Sequence, residues 1–151
     1  MKSLVIVYHS QSGSAAALAK AAWRGAGEET GVTTTVKRAW DASTADLIAA
    51  DAVLLVAAEN SGFVSGAMKD FLDRVFYPSI EASIVRSYAL LISAGNDGRG
   101  AVRQMERILS GIPFSPATEP LILRGETTPA HIDDARELGQ AFATGLEMGI
   151  Y

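Results

Sequence analysis

A chain of 151 residues, 48% of them apolar, can bury about two-thirds of its unfolded surface in one core, so a single domain over 1–151 is expected. With no cysteine, disulfides and thiolate chemistry are excluded, and any redox role must belong to a cofactor. A net charge of −4 with 13 scattered basic residues argues against nucleic acid, and the longest apolar run, Ala52 to Ala58, is far short of the roughly 20 residues of a membrane span.

The chain starts without the apolar core and small-residue cleavage site of a secretory signal, so a cytoplasmic protein with no membrane partner is expected. Leu4 to Tyr8 is a short all-apolar run, the pattern of a strand covered on both faces. It breaks into Ser10, Gln11, Ser12, Gly13, Ser14 and Ala15 before an alanine-rich helix with a buried stripe at Ala15, Leu18, Ala19, Ala22 and Ala26. A turn of this kind presents hydroxyls and backbone N–H groups at the positive end of a helix, where phosphate is the natural guest. It has neither the lysine and G-x-x-x-x-G-K frame of a P-loop nor three glycines of the dinucleotide type. A monoester phosphate held by hydrogen bonds fits it, while the simpler role for Ser14 is a helix cap.

Val32 to Lys37 is β-branched and threonine-rich, the composition of an edge strand, and Ser43 with Asp46 forms a capping box before a helix over Thr44–Ala49. Ala52–Ala58 reads as a central parallel strand. The residues after it, Glu59, Asn60, Ser61, Gly62 and Phe63, open a loop of about eight residues, longer than most such connections. A helix with Met68, Phe71, Leu72, Val75 and Phe76 on one face follows, halted by Pro78. Asn60 and Ser61 offer polar groups, Gly62 allows close backbone approach, and Phe63 is either a rim aromatic or a core side chain.

Ser87–Ser93 is the next strand. It runs into Ser93, Ala94, Gly95, Asn96 and Gly98, a glycine-rich loop that either brings N–H groups against a ligand or is a surface turn. A helix over Ala101–Ile112, a last edge strand over Glu119–Leu123 and a helix starting at Thr128-Pro129 complete the chain. Five strands alternating with five helices predict an α/β fold: a doubly wound five-stranded parallel sheet of order 2-1-3-4-5, with ligands at the switch point beyond the strands' carboxyl ends. The three polar loops meet there. His9 and His131 are the only histidines, which leaves no metal site, no G-x-S-x-G elbow occurs, and Trp23 and Trp40, outside the three loops, read as packing residues.

Ser10–Ala15 resembles the phosphate loop of flavodoxin-like FMN proteins. Glu59–Arg74, and Ser93–Val102 after it, resemble the second and third flavin loops of small bacterial NAD(P)H-dependent flavin oxidoreductases. The resemblance implies a flavodoxin-like domain whose first loop holds the ribityl phosphate of FMN and whose other two cradle the ring. It implies electron transfer from NAD(P)H to a quinone or other small-molecule or protein acceptor, with no catalytic side chain assigned and a homodimer as one form. The alternatives are a flavodoxin-type electron carrier without NAD(P)H activity and a flavin-fold interaction module lacking the cofactor. Ala15 stands where that family often has threonine, taking one hydroxyl from the phosphate and leaving the backbone N–H.

Overall fold

The computed structural model describes residues 1–151. In chain order the elements are β1 (Lys2–Tyr8), α1 (Ser14–Ala26), β2 (Val32–Arg38), α2 (Thr44–Ala49), β3 (Ala52–Asn60), β4 (Phe63–Val64), α3 (Gly66–Glu81), β5 (Ser87–Ala94), α4 (Arg99–Gly111), β6 (Ser115–Pro116), β7 (Leu121–Arg124) and α5 (Pro129–Glu147). The parallel sheet runs β2-β1-β3-β5, and β6 and β7 share the place beyond β5. β6 pairs with Ser87 and Tyr88 at the start of β5, and β7 pairs with Leu91 to Ala94 at its end. Counting that shared place as the fifth, the order is the predicted 2-1-3-4-5 of the flavodoxin-like fold.

Alternation along the central strands explains why both faces are covered. Val5, Val7, Val53, Leu55, Leu90 and Ile92 pack on one side against Met68, Phe71 and Leu72 of α3 and Met105 and Leu109 of α4. Leu4, Ile6, Leu54, Val56 and Leu91 pack on the other against Leu18 and Ala22 of α1 and Phe142 and Leu146 of α5. Strands with apolar residues on both faces suit a parallel sheet between helical layers. Helices α1 and α5 touch backbone to backbone: a Cβ at Gly139 would collide with the carbonyl of Ala22, and one at Gly25 with the carbonyl of Arg136. The capping box forms as predicted, with the Ser43 N–H donating to Asp46 Oδ2 at 2.8 Å, and α2 spans the predicted residues.

Four expectations change. The long loop after the third strand is a hairpin: β3 continues to Asn60 and turns at Ser61 and Gly62 (φ +52 and +84) into β4, so the connection is tight. Two positive φ values are what a two-residue turn needs to follow the strands' twist. Pro78 does not halt α3, which runs on to Glu81; a proline so near a helix end removes one hydrogen bond without breaking what precedes it. The last strand starts at Leu121 rather than Glu119 and is preceded by β6, because Pro116 and Pro120 lack the N–H groups a continuous strand would need. Trp23 and Trp40, read as packing residues, pack only in part and lie at the surface, 43% and 62% exposed.

Candidate functional site

Three adjoining cavities run along the carboxyl ends of the strands and share lining residues, forming one trough. The first, about 320 Å³, is lined by Ser10, Gln11, Ser12, Ser14, Ala15, Ala58 and Asn60. The middle one, about 430 Å³, shares Ser12, Ser14, Ala58 and Asn60 with it and adds Glu59, Ser93, Ala94, Gly95, Gly125 and Glu126. The third, about 470 Å³, is reached through Glu59 and Gly95 and is lined also by Ser61, Gly62, Asn96, Asp97, Gly100 and Arg103.

At the first end, β1 delivers the chain into a turn closed by the Gly13 N–H donating to Ser10 Oγ at 3.1 Å. Gly13, at φ +103, is the N-cap residue of α1, and no side chain caps that helix, which sets aside the capping role for Ser14. The first bond of the helix is Ala17 N–H to Gly13 O, so the N–H groups of Ser14, Ala15 and Ala16 stay free, as do the hydroxyls of Ser12 and Ser14. Free donors at a helix start, with the positive end of its dipole, make an anion cradle without a cation. No charged side chain lines this cavity. Nearby, His9 lies edge-on to Trp40, ring centroids 6.0 Å apart, and burial lowers its pKa.

The far end is built by the hairpin and the start of α4. Glu59 Oε1 accepts from the Gly98 N–H at 2.9 Å, and its Oε2 accepts from the Ala101 N–H at 3.1 Å. Asp97 is held below the usual carboxylate range, first by hydrogen bonds from the side chain and backbone of Arg99 and further by the charge of Arg124. Arg103 is the one cation lining the trough, and it has no carboxylate partner.

Of the sixteen site residues predicted from sequence, all but Gly13, Phe63 and Gly98 line the trough. Gly13 closes the first turn through its N–H bond to Ser10 Oγ. Phe63 points outward, 63% exposed, because alternation along β4 turns Val64 inward. Gly98, at φ +89, caps α4. Ala58, Asp97, Gly100, Arg103, Gly125 and Glu126 are lining residues that sequence reading missed. The signal for Gly125 and Glu126 was their place just after the last strand, where the fold puts every ligand-facing loop.

A flavodoxin-like sheet with an anion cradle at its switch point defines a class of flavin-mononucleotide proteins. The family model described as NADPH-dependent FMN reductase matches residues 16–120, and the chain belongs to that family. Its matched segment starts just after the first loop. Among solved structures, the chain is similar to a flavodoxin from the domain Archaea (TM-score 0.84, 19% identity, covering 96% of this chain and 99% of that one). It is also similar to the WrbA-like flavodoxin of Agrobacterium tumefaciens (TM-score 0.78, 19% identity, 99% of both chains). A third is oxidised flavodoxin 1 of Bacillus cereus (TM-score 0.79, 18% identity, 95% of this chain and 98% of that one). At these identities the likeness shows the fold. No curated protein matches the chain in sequence.

The family and fold mark this chain as an FMN-binding oxidoreductase. The donor set fits that cofactor: free N–H groups and hydroxyls at the cation-free end suit a monoester phosphate, and the glycine-rich walls at Gly62 and Gly95, where a Cβ would meet nothing within 4 Å, leave room for a flat ring system. No helix of the chain is long and apolar enough to cross a membrane.

Proposed function

We propose that the chain takes hydride from NADPH or NADH and passes the electrons, through bound FMN, to a quinone or another small-molecule or protein acceptor. The flavin supplies the redox chemistry when bound. The chain's own groups bind and orient: the N–H groups of Ser14, Ala15 and Ala16 and the hydroxyls of Ser12 and Ser14 hold the phosphate, Asn60 and Ser93 face the middle of the trough, and the hairpin and third loop flank the ring. No side chain is assigned to proton transfer.

One observation carries the choice of enzyme over carrier. None of the three cavities is lined by an aromatic side chain, so no indole or phenyl ring covers the position assigned to the flavin. Hydride transfer between two planar rings needs their faces to approach to about 3–3.5 Å, and an uncovered face allows it. The unpaired guanidinium of Arg103 at that end supplies an attraction for the anionic nucleotide. The electron-carrier alternative draws on the structural neighbours, the archaeal flavodoxin and flavodoxin 1 of Bacillus cereus.

The deciding measurement is steady-state NADPH and NADH oxidation by the purified FMN-loaded protein with a quinone acceptor. Turnover is expected, and a protein that binds FMN yet oxidises neither nucleotide is the carrier. The same proposal takes residues 1–151 as one domain working in the cytoplasm. Light scattering of the loaded protein tests whether two copies assemble.

A further inference from the structure

The hairpin and the third loop, far apart in sequence, are fastened into one piece. Both carboxylate oxygens of Glu59 are used by backbone N–H groups of the α4 start, those of Gly98 and Ala101. A second tie runs the opposite way, from the Val64 N–H to Gln104 Oε1 at 2.8 Å. Between the two ties Gly100 lies so close to the hairpin that a Cβ there would collide with the Gly62 carbonyl and come within 3.2 Å of Glu59 Oε2. The fastened turn holds Ser61 at φ +52, a conformation that residues other than glycine seldom adopt.

The chemistry of this tie is favourable. The first N–H groups of a helix have no partner within it, and a carboxylate placed there satisfies two of them and meets the positive end of the dipole. Hydrogen bonds to an ionised acceptor belong to the stronger class. Each oxygen of the carboxylate thus already accepts one backbone N–H, and Glu59 also lines the trough.

We propose that Glu59 is a positioning residue for the flavin ring: by holding Gly98 and Ala101 it locks the hairpin and the third loop into one pre-organised wall, and it strengthens ring binding without touching the phosphate. A wall ordered in advance removes an ordering cost from binding. The proposal rests on the placement of the ring between these two loops.

Two substitutions separate the tie from other effects. Glu59→Gln keeps the side-chain length but turns an amide NH2 toward a backbone N–H. Gly100→Ala leaves the carboxylate intact and pushes the hairpin away. Titration of the apoproteins with FMN and with riboflavin, at a temperature where circular dichroism shows them folded, should give both flavins weakened by the same factor, roughly tenfold, in each variant. Glu59→Gln should also move the midpoint potential of bound FMN to more positive values, because a fixed negative charge beside the ring is gone. A lowered melting temperature with wild-type riboflavin affinity and potential would show a merely structural role and overturn the proposal. Weaker FMN with unchanged riboflavin would do so too, by placing the effect at the phosphate. Asn60→Leu checks the ring placement independently: if it alters neither flavin's affinity the ring lies elsewhere, whereas an effect there with none at Glu59 and Gly100 defeats only the tie. Should Glu59→Gln fail to fold, Gln104→Ala, which cuts the second tie, is held to the same affinity outcomes alongside Gly100→Ala.

Discussion

Replacing Gly13 by alanine isolates the backbone geometry of the anion cradle. A Cβ at this position would meet nothing within 4 Å, yet φ is +103, so the substitution introduces strain without a collision. An L-residue held in so sparsely populated a conformation costs on the order of 1–3 kcal/mol. The loop relieves that strain by rotating Gly13. Rotation breaks the Gly13 N–H bond to Ser10 Oγ and the Ala17 N–H bond to the Gly13 carbonyl and turns the N–H groups of Ser14 to Ala16 out of line. Binding must then restore the native turn, and 1–3 kcal/mol corresponds to FMN dissociation constants raised by about 5- to 150-fold. Riboflavin has no phosphate and should bind the variant as it binds the wild type. Quenching of flavin fluorescence gives both constants, and their ratio reports the phosphate alone. Asparagine tolerates the left-handed region better than alanine, so Gly13→Asn should recover part of the loss. Equal weakening of the two flavins, or unchanged FMN affinity in a folded Gly13→Ala protein, refutes the assignment of this turn to the phosphate.

Gly139→Ala should lower the thermal midpoint, with about 1–3 kcal/mol of lost stability from overpacking, since its Cβ would strike the Ala22 carbonyl across the α1–α5 contact; an unchanged midpoint would mean the two helices separate freely. Burial raises the pKa of Asp46, but hydrogen bonds from Lys37 and from the Ser43 backbone and hydroxyl, with the Lys37 charge, outweigh it and leave the group below its ordinary value. Its stabilising contribution is therefore complete above about pH 4 and lost as pH falls through the lower folded value. Asp46→Asn should cost about 1 kcal/mol at pH 7 through the lost cap, and urea unfolding should show that difference shrinking in acid. Partial burial holds His9 toward its neutral form, so its charging, which quenches the neighbouring Trp40, should occur below the ordinary value of about 6.5; in a Trp23→Phe background, a fluorescence midpoint above that value contradicts this effect of burial. Stability tied to the neutral imidazole is present above that pH and is lost as pH falls through the folded value.

What could be read from the chain was whatever is encoded locally. Val5, Val53 and Leu90 lie in short apolar runs whose best reading is a strand covered on both faces, and Ser43 with Asp46 marks the start of α2 within four residues. Gly13 among hydroxyls marked the anion turn. The β3–β4 hairpin was harder to see because β4 has only two residues and exists through pairing with β3, although the Ser61-Gly62 dipeptide is a turn signal. The two tryptophans misled for a geometric reason: Leu18, Ala19 and Ala22 occupy the face of α1 that meets the sheet, which leaves Trp23 beside the edge strand β2, where its Nε1 donates to the Thr34 carbonyl at 3.3 Å. The Glu59 and Gln104 ties join residues about forty positions apart, and no local pattern announces a partner at that separation.

The helix starts around the trough carry a further consequence. The start of α4 is taken by the Glu59 carboxylate, and that of α5 by Thr128, whose Oγ1 accepts from the His131 N–H at 3.1 Å. Of the three, only α1 keeps its donors free. The trough therefore has two unlike ends: a slender molecule with its charge at one end meets open N–H donors at the α1 start, whereas the far end sets the lone guanidinium of Arg103 beside the carboxylates of Glu59 and Asp97. Filling the α4 and α5 starts with the chain's own side chains leaves the open N–H groups along the trough gathered at one end of it.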